Sequence, residues 1–185
     1  MERCFIASKE SDYLKEHKRY EKLQSQQRKF VDEFMSEKGI ESNKFLVGGD
    51  GFINKPFKEH QKSDIRFRIV PTEKDIETFG SVLNKPNEHG LCMFRKNSSI
   101  AKEFAEKCVD NEIVVNLHSP RVGDYFGSLR YGGYSYTTFE LDNDFYLAVE
   151  SDKLKEDELP KGFKEIKQSE FYLAKERLLE KKGTK

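Results

Sequence analysis

The stretch Tyr134-Ser-Tyr-Thr-Thr-Phe-Glu-Leu141, followed by Asp142-Asn-Asp144 and Phe145-Tyr-Leu-Ala-Val149, reads as a β-hairpin. Tyr134, Tyr136, Thr138 and Glu140 alternate with Ser135, Thr137, Phe139 and Leu141, the period of two that places successive side chains on opposite faces of a strand. Aspartate and asparagine favour the tight turn between the two runs. Upstream lies Arg121-Val-Gly-Asp-Tyr-Phe126, then the glycine-rich run to Gly133. This loop puts Arg121 and Arg130 among aromatic rings.

Working outward, Cys4-Phe-Ile6 predicts a short strand. Ser8 or Ser11 can cap the segment from Asp12 to Lys38, where Tyr13, Tyr20, Gln27 and Phe34 recur every seven residues with Leu23 and Phe30 between them. That spacing predicts one long amphipathic helix ended by Gly39. It packs on a sheet, or forms a coiled-coil dimer arm through the 12–38 seam. Strands are expected at 43–47, 64–70, 91–94 and 112–117, with a positive-φ turn at Gly48-Gly-Asp-Gly51. Thr72 and Asp75 have capping-box spacing ahead of a helix whose stripe is Ile76, Phe79, Val82 and Leu83. Ser98 or Ser99 caps a helix buried through Ile100, Ala101, Phe104, Ala105, Cys108 and Val109. Residues 151–160 read as a charged linker, and 162–166 as a brief strand. Ser169 opens a last helix with stripe Phe171, Tyr172, Ala174, Leu178 and Leu179, frayed over about 180–185. The whole is α+β: one domain over 1–185, a mostly antiparallel sheet with the long N-terminal helix and the C-terminal helix packed on it.

Composition limits the function classes. The chain has 185 residues, 33 basic and 33 acidic, a formal charge of +0, and 15 Phe with 8 Tyr but no Trp. Such balance gives no global attraction to nucleic acid or to an anionic membrane. No apolar run reaches the roughly 20 residues of a membrane span, and the N-terminus lacks a secretory signal, so a cytoplasmic protein is expected. Three cysteines fit a reducing compartment.

The candidate chemistry is sparse. His89, Cys92, Cys108 and His118 include one pair at zinc-like spacing, but nine residues separate Cys108 from His118, and Cys108 fits an apolar helix stripe. No metal and no cofactor is assigned. Neither Cys4 nor Cys92 sits where a helix N-terminus would stabilise a thiolate. Arg66 and Arg68 share the exposed face of a strand, where charge blunts edge pairing or meets an anion. Arg121, Asp124, Tyr125, Arg130, Tyr131, Tyr134 and Tyr136 remain as the candidate binding residues. Tyrosine and arginine dominate protein–protein hot spots and also stack on bases.

The run Leu159-Pro-Lys-Gly-Phe-Lys-Glu-Ile166 with Ser169-Glu-Phe-Tyr172 resembles the end of a phage-encoded domain of unknown function. In its general character the chain is similar to small accessory proteins of bacteriophages and prophages. The resemblance implies a non-catalytic protein that inhibits a host protein, often a defence component, by occluding its surface in the host cytoplasm. The residues leave two alternatives: a nucleotide or single-stranded nucleic-acid binder using Arg66, Arg68, Arg121, Arg130 and the tyrosines, or a small hydrolase, acting on a nucleotide or peptide, in which His118, Asp124 and Arg130 converge.

Overall fold

In a computed structural model the described residues are 1–126, 129, 133–150, 153–159 and 161–183. Elements follow in the order β1 Glu2–Ala7, α1 Asp12–Lys38, β2 Phe45–Gly48, β3 Arg66–Ile69, α2 Glu73–Phe79, β4 Cys92–Met93, α3 Ser99–Asp110, α4 Val122–Tyr125, β5 Ser135–Leu141, β6 Asp144–Glu150, β7 Phe163–Ile166 and α5 Gln168–Gly183. This is the α+β architecture, antiparallel throughout its described ladders, with the long N-terminal and the C-terminal helix packed on sheet. The strands fall into two sheets where one was expected, with orders β5-β6-β1-β7 and β2-β3-β4. The chain divides into two compact units, Met1–Arg19 with Ser119–Lys185, and Tyr20–His118.

In the first unit β1 is an inner strand, its Phe5 opposite Leu147 on one side and Glu165 on the other. The alternation of β6 buries Phe145, Leu147 and Val149 on one face with Phe5 and Ala7, under Tyr13 and Leu14 of α1 and Val122 and Phe126. Phe126 is fully buried, a burial that contributes about 1.5–3 kcal/mol. The other face sets Cys4 and Ala148 against Phe171 of α5. Ser11 caps α1, its Oγ accepting from the Leu14 N–H at 3.2 Å. The stripe read for α5 holds at Phe171 and Ala174, whereas Tyr172 and Leu179 are exposed. The helix runs to Gly183 through residues expected to fray.

In the second unit the apolar face of β2 and β3 meets Val31, Phe34 and Met35 of α1 and the stripe of α3. Phe67 stacks on Phe104 with centroids 4.3 Å apart, an arrangement favoured beyond area alone. Gly39 closes α1 with φ +73, while the Ile40 N–H reaches back to the Met35 carbonyl at 2.9 Å, a left-handed C-cap. Thr72 and Asp75 form the expected capping box. Ile76 is 54% exposed, because α2 ends at Phe79 and only its final turn and Leu83 reach the core.

Two local readings are corrected. Residues 112–117 are not a strand. Gln27 Nε2 donates to Val114 O (2.8 Å) and Val115 O (3.1 Å), the Asn54 N–H donates to Asn116 O (2.9 Å), and the Asn54 side chain pairs with the adjoining His118 backbone in both directions. The Gly48–Gly51 run has no positive φ. Its glycines admit the Phe57 ring, which a Cβ at Gly49 or Gly51 would meet at about 3 Å.

Candidate functional site

Outer edges distinguish the strands. In the four-stranded sheet β7 is a short edge, and its Lys164 and Glu165 bear charge. Arg3 forks onto Glu165 through Nε (2.9 Å) and a terminal nitrogen (2.8 Å). The opposite edge is β5, with seven residues, of which Ser135–Phe139 carry no charge and no proline. Edge strands left without Lys, Pro or a bulge template the pairing of another chain. Ser135, Tyr136, Thr137 and Thr138 are all exposed, although the hairpin register with β6 is complete from Ser135–Glu150 to Leu141–Asp144. The reason lies in coverage. Burial is greatest at the far end of the strand, where Phe171 lies against Phe139 with ring centroids 5.1 Å apart and Leu141 is buried. The tip is fixed by Asp142, at φ 57, whose carboxylate pairs with Lys181 and Arg177 of α5.

Beside the edge lies a cluster of tyrosines. Tyr136 is 45% exposed. Tyr134, expected to face outward, is half-buried against the Phe145 core. Tyr13 packs edge-on to Tyr125 at 5.4 Å and against Phe145 at 4.5 Å, with the His17 ring at 6.1 Å. Burial pushes the Tyr125 phenol up to about 12, and the charges of Glu16, Asp12 and Asp124 add to it. Burial likewise raises Tyr13, with Glu140 and Tyr136 contributing. The tyrosines therefore sit in a carboxylate-rich surround, with Lys9 and Lys18 nearer the hairpin tip.

No protein-family model, curated protein or solved structure matches this chain.

Of the seven candidate residues, the structure brings Tyr125, Tyr134 and Tyr136 to one region of the first unit. Arg121 precedes α4, and its N–H donates to Asp124 Oδ2 at 3.0 Å, so Asp124 serves the helix start. Arg130 and Tyr131 lie outside the described residues. Sequence reasoning missed Tyr13 and Glu140. Tyr13 had been assigned to the helix seam, and only the long-range pairing of β1 with β6 carries it to the hairpin. The uncharged run Ser135–Phe139 was the available signal for the edge.

The metal and nucleophile sets stay apart. Cys92 and Cys108 are core residues and His89 is exposed beside Glu88. Among the described residues no group of three or more His, Cys, Asp or Glu could hold a metal ion. Burial raises all three thiols, Cys4 to about 11 with help from Glu2, which disfavours the thiolate that a nucleophile needs. His118 ends the Tyr20–His118 unit and Asp124 belongs to the other. Arg66, with Arg68 on the outer face of β3, already faces Asp50 at 3.4 Å.

Proposed function

We propose that this is a non-catalytic binding protein that captures an extended segment of a protein partner on β5, and that this partner is a host protein whose surface it occludes. The host assignment rests on the resemblance to phage accessory proteins. The docking mode rests on one observation, the open seven-residue edge of β5, uncharged from Ser135 to Phe139. A segment added there gains main-chain hydrogen bonds along roughly 24 Å, at about 3.4 Å per residue. Asp12, Glu16, Asp124 and Glu140 around the tyrosines favour a segment carrying Lys or Arg, and they make the same surface a poor match for phosphates.

Thr137→Lys tests the reading, since lysine on an edge opposes strand addition and the exposed position leaves the core untouched. Capture from a host lysate by wild type and variant is compared after equal thermal unfolding has been verified. Loss of one protein with the variant, and its recovery by Thr137→Val, supports the proposal. Recovery of the same proteins by wild type and Thr137→Lys overturns it. A capture that nuclease abolishes favours the nucleic-acid reading of Arg66, Arg68, Arg121 and Arg130 instead.

A further inference from the structure

Within Tyr20–His118 a depression follows β2. Two adjoining hollows of about 840 and about 370 Å³ share Gln24, Gln27 and Phe45. One wall is the unbroken run from Ser42 to Val47, and the other includes the face of α1 that carries Gln24, Gln27 and Arg28. Because β2 is an edge of its sheet, one row of its backbone groups has no strand partner, and a groove beside such an edge suits an extended chain. The protein already makes one contact of this kind. The side-chain amide of Asn116, on the groove wall, donates to Gly49 O and accepts from the Gly49 N–H at 3.0 Å. Those are the two bonds that a residue of a neighbouring strand would supply.

The ends of the groove differ in chemistry. Near Val47 stand Leu46, Ile53 and Leu117, with Leu46 47% and Ile53 58% exposed. Near Lys44 the second cation is Arg28, and Asp32 is the one acid of that end. Neither Arg28 nor Lys44 makes an ion pair among the described residues. Lys44 and Leu46 are two residues apart, about 7 Å along a strand and on one face of it.

We propose that this groove binds an extended peptide segment of another protein, which adds to β2 as a fourth strand. Its aliphatic side chain is set among Leu46, Ile53 and Leu117, and a carboxylate about two residues away meets Arg28 and Lys44. The site is independent of β5 and stands or falls apart from it.

The probe is a displayed library of random octapeptides panned on the full-length protein, with the enriched sequences resynthesised, end-blocked and measured by fluorescence anisotropy. Enriched peptides should pair an aliphatic residue with Asp or Glu about two positions away. Leu46→Lys and Arg28→Glu should each weaken binding at least tenfold while circular dichroism and thermal unfolding stay unchanged, and Thr137→Lys should have no effect. N-methylation of the peptide should abolish binding at alternate amides only, which separates strand addition from side-chain capture alone. Failure to enrich any sequence, enrichment of basic peptides, or affinities insensitive to both groove variants would overturn the proposal. Binding lost with Thr137→Lys would assign the peptides to β5 and overturn it equally.

Discussion

Asp75 shows how one residue can serve two segments. Its carboxylate is 1% exposed and accepts from the N–H groups of Glu41 (2.7 Å), Ser42 (2.9 Å) and Thr72 (3.0 Å). The Thr72–Asp75 spacing was legible in the sequence, since a capping box is local. The hold on Glu41 and Ser42, more than thirty residues away, was not, because nothing near Ser42 signals a donor in need of an acceptor. Asp75→Ala strands three donors, that of Ser42 buried and those of Glu41 and Thr72 part-buried. A buried donor left unsatisfied costs about 1–3 kcal/mol, so urea unfolding should show a loss of about 4 kcal/mol, and Asp75→Asn, which keeps one accepting oxygen, about half that. Equal losses for both variants would mean that one accepting oxygen alone contributes nothing and that the second oxygen or the charge carries the whole effect. The thiols illustrate the opposite case. Cys108 fits the stripe of α3 on spacing alone, and it is indeed fully buried core.

At the scale of elements, hydrophobic period proved the reliable signal and polar exceptions carried the surprises. The alternation of 134–149 reads directly as β5 and β6. The edge position of β5 is set by tertiary pairing, so its exposure on both faces could not be read there. Ile113-Val-Val115 has strong strand propensity, yet no described strand pairs with it: Gln27 takes the Val114 and Val115 carbonyls, and the Ile113 N–H returns to the Cys108 carbonyl. Gln27 looked like a defect in the α1 seam; it is the residue that docks this segment. Gln27→Leu keeps the helix and removes both bonds, and should lower stability by about 1–3 kcal/mol. Hydrogen exchange should then accelerate mainly at 113–118, and uniform acceleration across α1 would contradict this assignment.

The β7 edge offers a pH test. The fork from Arg3 holds the Glu165 carboxyl below the usual carboxylate range. A folded value below the unfolded one contributes stability above the ordinary value of about 4.3, and the contribution is lost as pH falls through the lowered value. Glu165 is about half exposed, so screening keeps the pair near 1 kcal/mol or less. Wild type should therefore exceed Glu165→Gln in urea midpoint at pH 6, and the two should converge by about pH 3. A constant difference across that range would assign the effect to packing.

For the whole molecule, the decisive fact is how the chain is shared between its units. Tyr20–His118 is one continuous stretch with its own core around Phe67 and Phe104, and its sheet draws no strand from outside. The other unit is discontinuous. Its inner strand β1 comes from the first residues, while β5, β6 and β7 follow Ser119. The sequence shows no boundary at either crossing: Arg19 and Tyr20 are mid-helix, and no glycine or proline run marks Ser119. A reading along the chain therefore gives one domain over 1–185 and marks neither crossing. This division predicts an asymmetry between fragments. Residues 20–118 alone should give a dispersed amide spectrum and a cooperative urea transition, although α1 then lacks Ser11 and its first two turns. Residues 119–185 alone should be unfolded, because without β1 the four-stranded sheet separates into a hairpin and a lone edge strand, and an isolated hairpin is marginal in water. Adding a peptide of residues 1–19 should restore dispersion to 119–185 by supplying Phe5 and Ala7 to the Leu147 face. If 119–185 folds unaided, or 20–118 does not fold at all, the two units are not the cooperative blocks of this protein.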